Sequence, residues 1–394
     1  MEELIFHHLI TFSLISISIG VAPFLSKITH IPIVVVEMLL GTLGVYYGIF
    51  ESSDAVDIFA KIGFLFLMFL CGMEVNLRDF RQLGKSFLKY TIFYFVLLYA
   101  GAFLLVLFFC LPSIFVAALP VMSLGMIMAL IREYGKEEAW LSIALKTGIV
   151  GELLSIGALV FINGIYSHGF TLELYKILLV LFGFVAIISG MFMLVKILFW
   201  WFPNFKTFIM PHHDDTQNQD IRFSMMLFFV LIVVVMWLSL ENVLGAFLAG
   251  MIIVTFFPYK HELIHKLNDI GFGFFIPLFF INVGMTLKLE MIFHNPKLLY
   301  DGFLIALAML FLRLVATKIA FYKYFPQMRD VLLYALGHAM PLTFLVATAA
   351  LGLKLGAMNE DTYYAFLLAA IFEGVVFSIF IKVIFLFWKK KNQH

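Results

Sequence analysis

The segment WLSIALKTGIVGELLSIGALVFINGI (residues 140–165) decides the class of structure that this chain adopts. It is apolar over more than the roughly 20 residues that a helix needs to cross a lipid bilayer. Glu152 nevertheless lies near its middle, where a carboxylate costs about 2.5–3.5 kcal/mol on insertion scales. Because ionisable side chains at this depth usually belong to ion pathways, Glu152 is the first candidate for a functional residue.

The composition of the whole chain agrees with a membrane location. Of its 394 residues, 63% are hydrophobic and 13% are charged, whereas a soluble domain has about 45–50% apolar and about 25% charged residues. The net charge of +1 indicates no nucleic-acid partner. We therefore expect an all-α polytopic membrane protein whose main partner is the lipid bilayer.

Apolar segments long enough to span a bilayer recur along the chain, and we count about thirteen of them. They cover residues 5–25, 31–50, 56–76, 86–110, 112–132, 139–165, 173–200, 222–239, 241–258, 264–286, 300–322, 328–353 and 361–387. Lys and Arg concentrate in the loops on one side and in the tail at 389–391. By the positive-inside rule, the N-terminus is expected outside and the C-terminus in the cytoplasm.

The longest connection between spans, residues 203–222, is too short to form a separate domain. We therefore expect one transmembrane transporter domain over residues 1–394, without a cytoplasmic nucleotide-binding domain. Within it, residues 1–165 form a first repeat and residues 222–394 form a second. Residues 166–221 supply a linking helix and a cytoplasmic loop.

Evidence for the repeat comes from residues that recur at a fixed offset. Three pairs are separated by 221 positions: Pro120 and Pro341, Gly135 and Gly356, and Glu152 and Glu373. The Gly-Met pairs at 72–73 and 284–285 recur at an offset of 212. With a linking span between the halves, the second half would insert upside down. Such inverted-topology repeats are typical of secondary transporters.

The two prolines predict a pair of broken helices. Pro120 lies in the span around 116–135 and Pro341 in the span around 334–356. Proline removes a main-chain N–H and clashes with the preceding helical turn. Transporters bind their substrates near the membrane midplane, where two such helices break and main-chain carbonyls become ligands. The alternative is that both prolines only kink their helices, which membrane helices tolerate.

Other polar residues in the spans have more than one interpretation. Arg313 retains its proton and must pair or line water, and we expect Glu152 as its first partner and Glu373 as its second. Glu373 is also a candidate second ion ligand or a structural carboxyl. His338 lies at the second break, where it could gate or bind an ion, or be a hydrogen-bonded core histidine.

Four segments resemble the monovalent cation:proton antiporter-2 family, which includes bacterial Na+/H+ antiporters and Kef-type K+ efflux systems. They are IPIVVVEMLLGTLGVYYGIF (31–50), FLFLMFLCGMEVNLRDFRQLG (64–84), ENVLGAFLAGMIIV (241–254) and FFIPLFFINVGMTLKL (274–289). The resemblance implies the Na+/H+ antiporter fold, a homodimer, and an elevator-like motion of a six-helix core against a dimerisation scaffold.

The resemblance also implies roles for particular residues. The acid pair that the family carries in its sixth span falls at Gly151-Glu152, so a single acid remains. The mid-span lysine of the family falls at Arg313, and the Ser/Thr of its broken helix falls at Ser123.

Together, the residues and the resemblance predict a transporter rather than an enzyme. It exchanges Na+ or K+ for protons by alternating access in a bacterial inner membrane, in the service of pH homeostasis, and it needs no cofactor. Glu152 is the shared site for H+ and the cation, and Ser123, Thr343 and main-chain carbonyls complete an oxygen shell. Arg313 compensates charge. One proton per cation is the simplest stoichiometry, and a second site at Glu373 would change it.

Two alternatives remain from the sequence. The first is a transporter of the same fold that moves an organic anion with Na+, in which Arg313 binds a substrate carboxylate. The second is a membrane sensor or assembly protein that transports nothing, in which the intramembrane charges have a structural role.

Overall fold

The computed structural model describes residues 2–29, 33–51, 53–73, 84–135, 137–168, 218–238, 240, 242–257 and 261–391, with isolated positions between 172 and 202. Within these residues the regular structure is entirely helical. In the first half of the chain the helices are α1 (Glu2–Thr29), α2 (Ile33–Tyr46), α3 (Asp54–Met73), α4 (Lys85–Phe109), α5 (Phe115–Ala118), α6 (Leu124–Tyr134) and α7 (Ala139–His168).

The described residues of the second half of the chain are also helical. Its helices are α8 (Gln219–Trp237), α9 (Asn242–Phe256), α10 (His261–Ile270), α11 (Ile276–Met285), α12 (Leu289–His294), α13 (Lys297–Ala320), α14 (Met328–His338), α15 (Leu342–Lys354), α16 (Glu360–Phe372) and α17 (Ser378–Lys391). Short π-helical turns, Gly271–Phe275 and Glu373–Phe377, join α10 to α11 and α16 to α17.

In the described part of the chain, eight helices are long and apolar enough to cross a membrane, and three shorter apolar helices accompany them. These helices agree with the predicted multi-pass, all-α architecture. Most of the predicted linking span (173–200) and of the loop after it lies outside the described residues, so the predicted total of about thirteen spans stays a prediction.

The two predicted breaks are present. The expected span at 112–132 consists of α5 and α6 with an irregular segment between them. The expected span at 328–353 consists of α14 and α15, separated by residues 339–341. Both prolines therefore interrupt their helices, and the alternative of a simple kink is wrong.

The described helices fall into two compact units. The first unit comprises residues 1–57, 84–163 and 280–394, and the second comprises residues 58–83 and 164–279. Both helix breaks, the helices α13 and α16, and residues 139–163 of α7 belong to the first unit. Each predicted repeat contributes helices to both units.

A close helix crossing in the first unit depends on two glycines. On α2, Gly41 lies against the main chain of Ile281, and on α11, Gly284 lies against the main chain of Met38. The Thr42 hydroxyl donates a hydrogen bond of 3.0 Å to the Gly284 carbonyl. A larger residue at either glycine would overlap a main-chain oxygen, so the glycines set how closely the two helices approach.

The second unit contains the same kind of crossing between α3 and α9. Here Gly72 lies against the main chain of Phe247, and Gly250 lies against the main chain of Phe69. The two crossings share one spacing: on each helix, the glycine lies three positions after the residue that the glycine of the other helix contacts. Gly284 thus follows Ile281 by three positions, and Gly250 follows Phe247 by three. Gly72 and Gly284, paired by sequence offset, thus occupy equivalent places in two crossings of the same design.

Candidate ion-binding site

The first break lies between the two short helices α5 and α6. α5 ends at Ala118, and the chain continues through Pro120 to Ser123, which has the extended conformation φ −137°, ψ 131°. The Ser123 side chain caps α6 by accepting a hydrogen bond of 3.3 Å from the Gly125 N–H. The cap and the proline explain why the helix stops and restarts here.

Glu152 of α7 lies against the start of α6. The side chain is fully buried, and its Oε2 accepts a hydrogen bond of 2.8 Å from the Leu124 N–H. The N-terminus of a helix carries partial positive charge, which favours a carboxylate at this position. The second oxygen, Oε1, has no hydrogen-bond partner within the described residues. Glu152 therefore keeps one oxygen that can take a proton or a cation.

Ser155 supports the same segment, although it was not among the predicted site residues. Its Oγ, one helical turn beyond Glu152, accepts a hydrogen bond of 2.9 Å from the Met122 N–H. The main-chain N–H groups of Met122 and Leu124 thus both donate hydrogen bonds to side chains on one face of α7. The available signal was the spacing of three residues from Glu152, which places both side chains on one helix face.

The structure gives a steric reason for Gly151. A Cβ atom at this position would approach Met122 Sδ to 2.6 Å and the Phe95 ring to 3.1 Å. Met122 therefore occupies the space that an acidic side chain at position 151 would need.

The second break lies between α14 and α15. α14 ends at His338, and Pro341 precedes the first residue of α15. The His338 ring is buried and packs against Tyr334, with ring centroids 4.4 Å apart. The side chain of Thr343 lies outside the described part of the structure, so its predicted place in the oxygen shell stays a prediction.

Arg313 of α13 connects the two breaks. Its side chain is fully buried; Nη1 donates to the Leu119 carbonyl at 2.9 Å, and Nη2 donates to the Val121 carbonyl. Nε donates at 2.8 Å to the carbonyl of His338, at the end of α14. A fourth bond, 3.0 Å long, goes to Met309 on its own helix. One guanidinium thus binds carbonyls at the C-terminal ends of both interrupted helices, which carry partial negative charge.

This arrangement corrects the expected pairing of Arg313. Among the described residues, no ion pair joins it to Glu152 or to Glu373; its hydrogen bonds go to main-chain carbonyls. Glu373 instead begins the π-helical turn after α16, fully buried, and the described groups offer neither of its oxygens a hydrogen bond. Helix breaks supply negative partial charge that the residue types do not reveal.

With this geometry established, comparisons with known proteins define the family. A family model described as "Sodium/hydrogen exchanger, transmembrane" matches residues 13–387. The chain belongs to the sodium/hydrogen exchanger family. The resemblance found in the sequence is thereby confirmed.

Two relatives are similar along most of this chain. One, from Methanocaldococcus jannaschii, is named "Probable Na(+)/H(+) antiporter 3"; it is 26% identical, and the match covers 96% of this chain and 97% of the relative. Another, YjbQ of Bacillus subtilis, is named as a candidate Na(+)/H(+) antiporter and is also 26% identical, over 92% of this chain. The match spans 60% of the length of YjbQ.

A solved structure is similar in fold. The sodium proton antiporter MjNhaP1 from Methanocaldococcus jannaschii superposes with a TM-score of 0.64 at 15% sequence identity, covering 95% of this chain and 96% of the other. The match confirms the predicted antiporter fold.

Proposed function

We propose that this protein exchanges a monovalent cation for protons across a bacterial inner membrane, with Glu152 as the site that the two ions share. The observation that carries the proposal is the setting of this carboxyl. Glu152 is buried at a helix break; one oxygen accepts a hydrogen bond from Leu124, and the other has no donor among the residues that the structure describes. A proton and a hard monovalent cation compete for such an oxygen, and this competition is sufficient for exchange.

The break supplies further oxygen ligands in this proposal. Ser123 lies one residue before Leu124, and its side chain is buried. With main-chain carbonyls and Thr343, its hydroxyl completes the oxygen shell that a hard cation prefers. Arg313 compensates charge when the cation has left, while it keeps the two breaks together. The gradients of the two ions then drive exchange by alternating access of the site.

Na+ is the favoured cation, because the relatives from Bacillus subtilis and Methanocaldococcus jannaschii carry Na+/H+ antiporter names. K+ remains the second candidate, since cage size and ligand number decide between the two. We further propose a homodimer with the N-terminus outside and the C-terminus in the cytoplasm, acting in pH homeostasis.

The hydrogen bonds of Arg313 argue against the organic-anion alternative. A guanidinium has five N–H donors, and main-chain carbonyls accept four hydrogen bonds from Arg313. A substrate carboxylate bound in the bidentate manner needs two free donors. Binding it would require the protein to release at least one helix-end carbonyl.

Proteoliposomes with an imposed pH gradient test the proposal. We expect added Na+ to trigger proton efflux in the native protein and no efflux in Glu152→Gln. The same substitution at an exposed acid, Glu290→Gln, should behave as the native protein. Parallel additions of K+ and Li+ identify the ion. Absence of cation-triggered flux from folded protein would support the sensor or organic-anion alternatives instead. Unchanged flux in Glu152→Gln would place the shared site at another residue.

A further inference from the structure

Glu373 is a buried carboxyl that the exchange at Glu152 does not use. It is fully buried at the start of the π-helical turn Glu373–Phe377. The described part of the chain provides no hydrogen-bond donor to either carboxyl oxygen. Buried polar groups are normally hydrogen-bonded, and single π-turns inside α-helices are frequent at functional sites. The two features together indicate a role beyond packing.

The π-turn packs against the second break. Gly374 lies directly against the side chain of Val35 on α2 and close to Leu342, the first residue of α15. One turn later, the Ser378 hydroxyl lies 3.6 Å from Met340 Sδ within the break. The turn that begins at Glu373 thus packs against the second break, and the offset of 221 residues relates Glu373 to Glu152.

The surroundings of Glu373 suit a proton better than a metal cation. The side chains that lie against the next residue, Gly374, are the apolar Val35 and Leu342, whereas a hard cation needs several oxygen ligands. Arg313 on α13 interacts with Glu373 electrostatically, so its positive charge can balance the Glu373 carboxylate when no proton is bound. Of the other elements packed on this turn, α2 carries the buried acid Glu37, and α15 carries Lys354 in its last turn. A proton requires only the carboxyl itself.

We propose that Glu373 carries a second proton through the transport cycle, so that two protons exchange for one cation. The inference rests on the proposed function of Glu152. In the cation-loaded form, the cation balances the Glu152 carboxylate, and Arg313 balances the Glu373 carboxylate. In the proton-loaded form both carboxyls are neutral, and the charge of Arg313 is uncompensated. The proton-loaded step therefore moves one net positive charge, and exchange is electrogenic.

Currents on a solid-supported membrane, evoked by a jump in Na+ concentration, test this stoichiometry. We expect a current from the native protein and from the matched control Glu360→Gln, an exposed acid on α16. Glu373→Gln should lose the current while it keeps Na+-triggered proton flux. With the membrane voltage clamped at zero, the pH gradient that stops flux against a fixed Na+ gradient should be twice as large, in logarithmic units, in Glu373→Gln as in the native protein.

The outcomes separate this inference from the proposed function. Electroneutral exchange by the native protein, abolished by Glu152→Gln, would overturn only the role of Glu373. A current that persists in Glu373→Gln would overturn it as well. If Glu373→Gln fails to fold, the current of the native protein still decides whether exchange is electrogenic. Glu373→Asp, which keeps a carboxyl, is expected to retain the current. Absence of any Na+-triggered proton flux would overturn both proposals.

Discussion

The Nε of Arg313 donates a hydrogen bond of 2.8 Å to the carbonyl of His338, the last residue of α14. The same guanidinium binds the carbonyl of Leu119 in the first break at 2.9 Å. One side chain therefore holds two interrupted helices together, and its charge faces the negative ends of both. Arg313 therefore has a structural role as well as an electrostatic one.

Replacing Arg313 should destabilise the protein even without cations. Arg313→Met leaves buried carbonyls without donors, and each unsatisfied group costs about 1–3 kcal/mol. Arg313→Lys keeps the charge but offers a point charge instead of a planar fork, so its loss should be intermediate. Melting temperatures in detergent measure the stability of both variants. A melting temperature of Arg313→Met equal to that of the native protein would show that the guanidinium does not join the breaks.

Removal of the Ser155 hydroxyl should weaken cation binding. In Ser155→Ala the buried Met122 N–H loses its acceptor, at a cost of about 1–3 kcal/mol, and the segment leading to Leu124 loses support. We expect a higher Na+ concentration at half-maximal exchange in proteoliposomes. Ser142→Ala, on the same helix but away from the break, is the control. Identical Na+ dependence in the two variants would rule out this supporting role.

An acid cannot be restored at position 151 without making space for it. In Gly151→Asp the new Cβ meets Met122, so we expect lower thermal stability and slower exchange. Met122→Ala removes the obstruction, and the double variant should recover part of the loss, with a coupling of about 0.5–3 kcal/mol. Purely additive effects would mean that Met122 does not explain the glycine.

The glycines at the two mirrored crossings should be equally intolerant of substitution. Gly72→Ala and Gly284→Ala each place a methyl group into a main-chain carbonyl, and overpacking typically costs about 1–3 kcal/mol. Gly20→Ala on α1, where an added Cβ meets nothing within 4 Å, should be neutral or stabilising. Melting temperatures and expression yields compare the three. Native-like stability of both crossing variants would be incompatible with the close approach of these helices.

The sequence predicted the features that depend on residue type and spacing. Pro120 and Pro341 indicated the two breaks because proline cannot continue a helix ladder. Glu152 could be chosen as a candidate site residue because placing an acid in an apolar span costs free energy. The offset of Gly72 from Gly284 indicated a repeat, but the sequence did not predict that the two glycines lie at helix crossings.

The partners of Arg313 could not be predicted in the same way. Reasoning from side-chain charges pairs an arginine with the nearest acid, here Glu152. The actual acceptors are main-chain carbonyls of Leu119, Val121 and His338, which any residue type could supply. They become available only because the helices are interrupted, and which carbonyls point at the guanidinium depends on the folded chain.

The release of protons when Na+ binds to the purified protein tests most directly whether a cation and a proton compete for Glu152. In weakly buffered detergent solution, a pH-sensitive dye follows the protons released after Na+ addition. If a cation and a proton compete for Glu152, the native protein releases protons on saturation with Na+, and Glu152→Gln releases none. Equal release from the native protein and from a folded Glu152→Gln would contradict the account, because the competing site would then lie elsewhere.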